Sequence, residues 1–263
     1  MPGGDKVLER NATLCPQDFT FRVLGSPATL TDGVAIERST EMENQELKRA
    51  CEQLKKTGAD WALLSSAENV TYVSHYEVPV DFGPLAHLSY GPVLALCSLS
   101  DGGNILIANN YYAGAARKQS TFEQVLGFGI LEVFEPFARQ DARANFVATV
   151  RQALQQAGLA HGRPRLAVEE KTLPLSVARV LSEEFPNVTL VEAYPAIEMA
   201  RKVKTGREIG LLKCVAEVVN TGHKEVLKQT RQAGKSEFEL WSAVTQAMYE
   251  HAGAKFFMSG ELV

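Results

Sequence analysis

Apolar and polar positions along the chain alternate in two distinct ways. Short apolar runs with polar ends predict buried strands, whereas apolar residues three and four apart predict amphipathic helices. Strands are predicted over residues 60–65, 93–99, 105–108, 125–128, 166–169 and 188–191. Helices are predicted over about residues 40–57, 67–74, 140–157, 175–184 and 208–230, and again from about residue 236.

Residues 38–202 are expected to form one α/β domain. Because predicted strands and helices alternate there, the pattern favours a mixed sheet covered by helices on both faces. The segment 101–104 (DGGN) between two apolar runs is a hairpin signal, so at least one strand pair should be antiparallel. Residues 1–37 carry scattered Pro, Gly and Thr and are predicted to be an N-terminal arm.

Two capping boxes predict where helices begin, at residues 40–43 (TEME) and 236–239 (SEFE). The segment 203–263 is expected to be a separate unit of two amphipathic helices followed by an apolar strand at 254–263. One helix has an apolar stripe made of Leu212, Val215, Val219 and Val226. The other has a stripe made of Phe238, Trp241, Val244 and Met248. Both stripes and the strand should need a partner.

Composition indicates an ordinary globular protein. The 263 residues carry a net charge of -4 with interspersed signs, which argues against nucleic acid as a partner. No run of roughly 18 apolar residues and no secretory start is seen, so a cytoplasmic protein without membrane contact is expected. The four cysteines, Cys15, Cys51, Cys97 and Cys214, form no CxxC pair and are expected to be reduced and mostly buried.

Candidate chemistry is sparse. His75 and His87 flank a loop that also carries Glu77 and Asp81, and these four side chains are a candidate metal site. The alternative is a surface loop whose polar residues have no ligand, because no spacing such as His-x-x-x-His constrains them. The chain contains no GxSxG, no P-loop and no GxGxxG after a strand.

Three segments resemble the creatinase, prolidase and Xaa-Pro aminopeptidase family. Residues 201–213 (RKVKTGREIGLLK) are similar to the junction that leads into the family's catalytic domain. Residues 232–240 (QAGKSEFEL) resemble its turn into the second helix. Residues 68–76 (ENVTYVSHY) resemble an N-x-x-Y-x-S/T-G-F/Y element, with His75 where glycine is usual. The resemblance covers about residues 40–263.

The resemblance implies a ribonuclease H-like N-terminal domain over 38–202, followed at 203–263 by the truncated start of a pita-bread catalytic domain. In the family's peptidases that domain holds two divalent metal ions, such as Mn, Co or Zn, through two Asp, one His and two Glu. All five positions would fall beyond Val263, so the resemblance implies no catalytic residue, no metal ligand and no cofactor in this chain. A homodimer is also implied, because family members commonly dimerise.

The resemblance also implies a role for the loop after the Tyr-x-Ser element. In creatinase-like members this loop reaches the partner subunit's active site, where a Phe-Gly-Arg contacts substrate. Phe82-Gly83-Pro84 lies at the comparable place, and Phe82 and His87 are the candidate residues that would contact substrate in a partner subunit. Pro84 has no guanidinium to bind a carboxylate, so the creatinase substrate does not carry over directly. The alternative is that Phe82 is a hydrophobic anchor for its own loop.

Two hypotheses about function remain. The chain is the N-terminal portion of an Xaa-Pro peptidase-like hydrolase, or of a creatinase-like metal-independent C–N hydrolase, and is inactive alone. Its full form would then act on a peptide or a small amide. Alternatively it is a non-catalytic dimerisation or binding module with an uncovered apolar surface. The residues of that surface would be Phe238, Trp241, Met248, Phe256 and Phe257.

Overall fold

A computed structural model describes residues 44–79, 90–100, 102–129, 141–253 and 256. The strands are β1 Trp61–Leu64, β2 Leu94–Ser98, β3 Ile105–Asn109, β4 Gln124–Phe128, β5 Arg165–Val168 and β6 Thr189–Glu192. The helices are α1 Gln45–Lys55, α2 Ala67–Ser74, α3 Ala113–Gln119, α4 Ala142–Gln156, α5 Leu175–Glu184, α6 Tyr194–Lys202, α7 Gly206–Gln229 and α8 Glu237–Ala252. The chain divides into two compact units, residues 38–205 and residues 1–37 with 206–263.

The unit 38–205 is built on a six-stranded mixed sheet of order β4-β3-β2-β1-β5-β6. β2 pairs antiparallel with β1 and with β3, whereas β1–β5, β5–β6 and β3–β4 are parallel pairs. The mixed sheet and the antiparallel pair around the DGGN turn are therefore confirmed. Asp101 itself lies outside the described residues.

Helices cover both faces of this sheet, as predicted. Side chains of α1, α2, α3 and α6 form one apolar cluster with one face, and those of α4 and α5 form a second cluster with the other. The interior strands β2 and β3 are buried along their whole length. Burial on both faces explains why these strands read as continuous apolar runs in the sequence.

The ends of several helices follow local side-chain chemistry. Asn44 caps α1 by accepting from the Leu47 N–H at 2.8 Å. The capping box predicted at residues 40–43 lies outside the described residues. Gly58, with φ of +74°, ends the turn that follows α1. Two helices were not predicted: α3 is short and rich in alanine, and α6 has Pro195 in its first turn.

In the other unit, α7 and α8 are described and pack against each other. The predicted capping box of α8 is confirmed, because Ser236 and Glu239 bond reciprocally at the start of the helix. The two helices approach closely at Gly222, where an added Cβ would lie 2.6 Å from Sδ of Met248. The strand predicted at 254–263 lies outside the described residues except for Phe256, whose ring is 5.2 Å from that of Tyr249.

The expected apolar stripes of these helices are only partly buried. Val244 is buried, and Trp241, Met248 and Val226 are half-buried. The remaining stripe residues are exposed: Leu212, Val215, Val219 and Phe238. The apolar surface of this unit therefore lies mainly along α7, with Phe238 as its most exposed aromatic residue on α8.

The cysteines behave differently from one another. Cys51 and Cys97 are free, and burial raises the pKa of both thiols. Cys214 is disulfide-bonded, so the expectation of a reduced thiol is wrong for that residue. Cys15 lies outside the described residues. Among the helices that the structure describes, none is long and apolar enough to cross a membrane.

Candidate functional site

The candidate residues in the loop after α2 lie mostly outside the described part of the chain. Phe82, His87 and Asp81 are among the residues whose positions are not described, so their assignment stays a prediction. Glu77 is exposed, and its backbone N–H donates to the Gln119 side chain at 3.3 Å. Across the described ranges, no group of three His, Cys, Asp or Glu side chains lies close enough to hold a metal ion.

The most concentrated polar chemistry lies where β1 and β5 end. Parallel neighbours finish at the same edge of a sheet, and this edge brings Ser65 and Ser66 against Glu169. The Glu169 carboxylate is 2% exposed and accepts four hydrogen bonds. The donors are the Ser65 N–H (2.5 Å), the Ser66 N–H (2.9 Å), the Ser66 Oγ–H (2.8 Å) and Asn69 Nδ2 (2.5 Å). We call Glu169, Ser65, Ser66 and Asn69 the Glu169 cluster.

The Glu169 cluster places a carboxylate at the N-terminus of α2. Ser66 is the N-cap of that helix, and the first N–H groups of a helix have no partner within it. A negative charge there also interacts favourably with the helix dipole. Both carboxylate oxygens of Glu169 are occupied by these donors, so the cluster fastens β5 to α2 and presents no activated nucleophile.

Asn69 connects the Glu169 cluster to the end of α6. Its Nδ2 donates to Glu169, while its Oδ1 accepts from Arg201 Nη1 at 2.8 Å. One turn further along α2, the Tyr72 hydroxyl donates to the Ala200 carbonyl at 3.2 Å. Two segments with a family resemblance, 68–76 and 201–213, are therefore in direct contact although about 130 residues separate them.

A second buried carboxylate lies at the other end of α2. Glu46 is 2% exposed; its Oε2 lies 3.0 Å from Nε2 of His75, and its Oε1 accepts from Thr205 Oγ at 2.6 Å. Burial raises the pKa of Glu46, but the bonds from Thr205 and His75, together with a backbone bond, outweigh it and hold the pKa below its ordinary value. We call Glu46, His75 and Thr205 the Glu46 cluster.

His75 has an unusual backbone conformation. It is the C-cap of α2 with φ of +58°, and it is the sole non-glycine residue with positive φ in the described ranges. Such a conformation costs a residue with a Cβ roughly 1 kcal/mol relative to glycine. The element that residues 68–76 resemble usually has glycine at this position. The bond to Glu46 gives a physical reason for a histidine here.

From the sequence, His75 was singled out for a metal site, but the other residues of these clusters were not identified. Glu169 was read as the end of a strand, and Glu46 as an ordinary helix position. A usable signal was present at Ser65-Ser66, because two serines after a buried strand and before a helix indicate an N-cap, where the first N–H groups of the helix need acceptors. No local signal identified Thr205, whose partner is 159 residues away.

Comparisons with known proteins agree on one family. The family described as Creatinase/Prolidase N-terminal domain matches residues 46–203. A creatinase from Bacillus sp. strain B-0618 is 26% identical over 223 residues, which are 81% of this chain and 48% of the relative.

Solved structures give the same fold. The prolidase from Pyrococcus furiosus matches with a TM-score of 0.54 at 16% identity over 78% of this chain and 52% of its own. The X-Pro aminopeptidase from Thermotoga maritima matches with a TM-score of 0.56 at 18% identity, over 78% of this chain and 49% of its own. The chain thus spans about half the length of the relatives it matches.

Proposed function

The chain belongs to the creatinase/prolidase family, and from this premise we propose that it forms the N-terminal portion of an Xaa-Pro peptidase-like hydrolase. The observation that carries the proposal is the coverage: the chain aligns with about half of a prolidase and half of an X-Pro aminopeptidase. The proposed substrate class is a peptide with proline after its first residue. We further propose the division into an arm (1–37), the N-terminal domain (38–202) and the start of the catalytic domain (203–263).

The proposal includes inactivity of this chain alone. A peptidase of this kind is expected to use two divalent metal ions, Mn, Co or Zn, to generate its nucleophile. The described residues do not fit such a centre, because no three potential ligands lie together among them. The Glu46 and Glu169 carboxylates are both engaged by hydrogen bonds within the unit 38–205. No step of hydrolysis is therefore assigned to them.

Hydrolysis assays test this proposal. The purified 263-residue chain should release no proline from Xaa-Pro dipeptides with Mn²⁺, Co²⁺ or Zn²⁺ added, whereas a protein extended to the relatives' length should do so. Metal-dependent turnover by the 263-residue chain would contradict the proposal. The coding sequence beyond Val263 gives a second test, since an open frame encoding two Asp, one His and two Glu is expected.

A creatinase-like hydrolase is a second candidate, favoured by the 26% identity to a creatinase. We place it after the peptidase because Pro84 stands where the creatinase segment has an arginine, and proline has no guanidinium to bind a carboxylate. Phe82 and His87 remain the proposed contacts to substrate in a partner subunit. Substituting either with alanine in the extended protein should raise KM; unchanged kinetics in both variants would remove this assignment.

Dimerisation is the remaining proposal, together with a cytoplasmic location. Dimerisation is supported by the exposed apolar side chains of α7, where Leu212 and Val215 are each more than half exposed. A non-catalytic dimerisation module would bury these side chains against a second copy. Sedimentation or light scattering of the 263-residue chain should then give a dimer. A clean monomer that binds no apolar dye would contradict this module.

A further inference from the structure

The segment 203–205 connects α6 to the start of α7. It belongs to no helix or strand, and Val203 and Lys204 are exposed. Thr205, in contrast, is 1% exposed. Exposed segments outside helices and strands open locally at a lower free-energy cost than the core, so side-chain attachments to this connector bear directly on whether it is ordered.

Helix α1 supplies two of these attachments from adjacent turns. Glu46 accepts from the Thr205 hydroxyl at 2.6 Å, and Arg49 Nη1 donates to the Val203 carbonyl at 2.6 Å. Residues three apart on a helix lie on the same face, so both side chains reach the connector together. Lys204 adds a local bond to the Arg201 carbonyl, which stays within the α6 end of the segment.

His75 and Thr205 bind different oxygens of the Glu46 carboxylate. The two oxygens of Glu46 have different partners, and the bond from His75 to Oε2 leaves Oε1 directed at Thr205. An ionised carboxylate can only accept, so Nε2 of His75 carries the hydrogen in this arrangement. The residue with the unfavourable positive φ is thus the one whose imidazole binds the Glu46 carboxylate.

We propose that Glu46 and Arg49 form a latch that holds the connector 203–205 on α1, with His75 as the positioning residue for Glu46. The latch is a conformational device: it determines whether the connector is ordered without contributing to the apolar core. The latch is made of contacts within the unit 38–205 and is independent of the proposed peptidase function.

Trypsin provides a direct test in the full 263-residue chain. The connector and its flanks contain four basic residues, Arg201, Lys202, Lys204 and Arg207. Thr205→Val removes the donor to Glu46 while keeping the side-chain shape. Because a hydrogen bond to a charged group is worth about 1.5–3 kcal/mol, cleavage after Lys204 should become at least about tenfold faster. Mass spectrometry of the fragments identifies that cleavage, and Thr189→Val on exposed β6 should leave its rate unchanged.

His75→Gly separates the latch from a merely structural role. Glycine adopts the positive φ without strain, which offsets part of the hydrogen bond lost to the buried Glu46, so the variant should fold with a thermal midpoint at or modestly below that of the wild type. The latch nevertheless predicts faster cleavage after Lys204, because Glu46 loses its positioning partner. A stable His75→Gly variant with wild-type cleavage would overturn the role of His75.

Arg49→Ala keeps the proposal testable if Thr205→Val fails to fold. It removes the second attachment from a half-exposed position, and Glu52→Gln on the exposed face of α1 is its control. Arg49→Ala should accelerate cleavage after Lys204, and Glu52→Gln should not. Unchanged cleavage in every folded latch variant would refute the latch.

Discussion

The two units of this chain satisfy the same kind of sequence pattern in different ways. In the unit 38–205, amphipathic helices cover a sheet, and side chains such as Phe146 and Val150 are fully buried. In the pair of α7 and α8, side chains with the same spacing, such as Leu212 and Phe238, remain exposed. The difference teaches that periodicity predicts which face of a helix is apolar, while burial depends on what lies opposite that face.

Two phenylalanine substitutions should separate the units most strongly. Phe146 is 0% exposed and its ring lies 5.1 Å from that of Phe128, whereas Phe238 is 77% exposed. Phe146→Ala should lower the free energy of unfolding by about 3–5 kcal/mol. Phe238→Ala should change it by less than about 0.5 kcal/mol. Urea unfolding followed by circular dichroism measures both, and equal losses would contradict the comparison.

Substitution of the buried Glu169 should have the next largest effect on the free energy of unfolding. Glu169→Gln replaces one acceptor oxygen of the Glu169 cluster with an NH₂ group that faces donors. The free energy of unfolding should fall by about 2–3 kcal/mol. Glu170→Gln, at the exposed neighbouring position, should be close to neutral. The same denaturation experiment tests the pair, and a neutral Glu169→Gln would show that the cluster does not need its charge.

Glycine substitutions in α7 sharpen the comparison within one helix. Gly222→Ala forces the flexible Met248 side chain to move, because the new Cβ would lie 2.6 Å from Sδ; this offsets the gain in helix propensity, and the free energy of unfolding should change by less than about 0.5 kcal/mol. Gly210→Ala meets nothing within 4 Å and should stabilise the helix by about 0.5–1 kcal/mol. The thermal midpoint of Gly210→Ala should therefore rise above that of Gly222→Ala. Equal rises in both variants would contradict close packing at Gly222.

The smallest expected effect is the pH dependence from Glu46. Its pKa is lower in the folded chain than the ordinary value of 4.5, so the unfolded chain binds more protons in acid. The resulting stabilisation of the folded chain is fully present above about pH 4.5, the ordinary pKa. It is lost as the pH falls through the lower pKa that Glu46 has in the folded chain. Glu46→Gln should flatten this part of the curve. Thermal midpoints between pH 3 and pH 6 test it, and an unchanged slope would contradict the assignment.

Much of the fold could be predicted from local pattern. The helices at 67–74 and 175–184 have the predicted bounds, and the six strands predicted between residues 60 and 191 are each present to within one residue at either end. The antiparallel pair followed from the DGGN turn. Helix α3 (Ala113–Gln119) was not predicted because its alanines give no apolar stripe. Helix α6 (Tyr194–Lys202) was not predicted either, although Pro195 in its first turn is a local signal for a helix start.

The candidate clusters could not be predicted in the same way. Glu46 and Thr205 are 159 residues apart, and Glu169 and Asn69 are 100 apart. In its local sequence, each of these residues looks ordinary: a carboxylate in a helix, a threonine in a linker, a glutamate after a strand. Only the resemblance drew attention to two of the segments involved, and it did not indicate that they touch.

The sequence alone indicated the six strands, most of the helices with their apolar faces, and the family resemblance, because spacing of apolar residues and short motifs are local properties of a chain. The tertiary structure decided which polar groups are buried together. Burial of Glu46 and Glu169 requires donors brought in by other elements, since a buried carboxylate without partners would be too costly to keep ionised. The connector before α7 is bound to α1 for the same reason, because Thr205 is one of the donors that the buried Glu46 needs. No local sequence pattern indicates this contact.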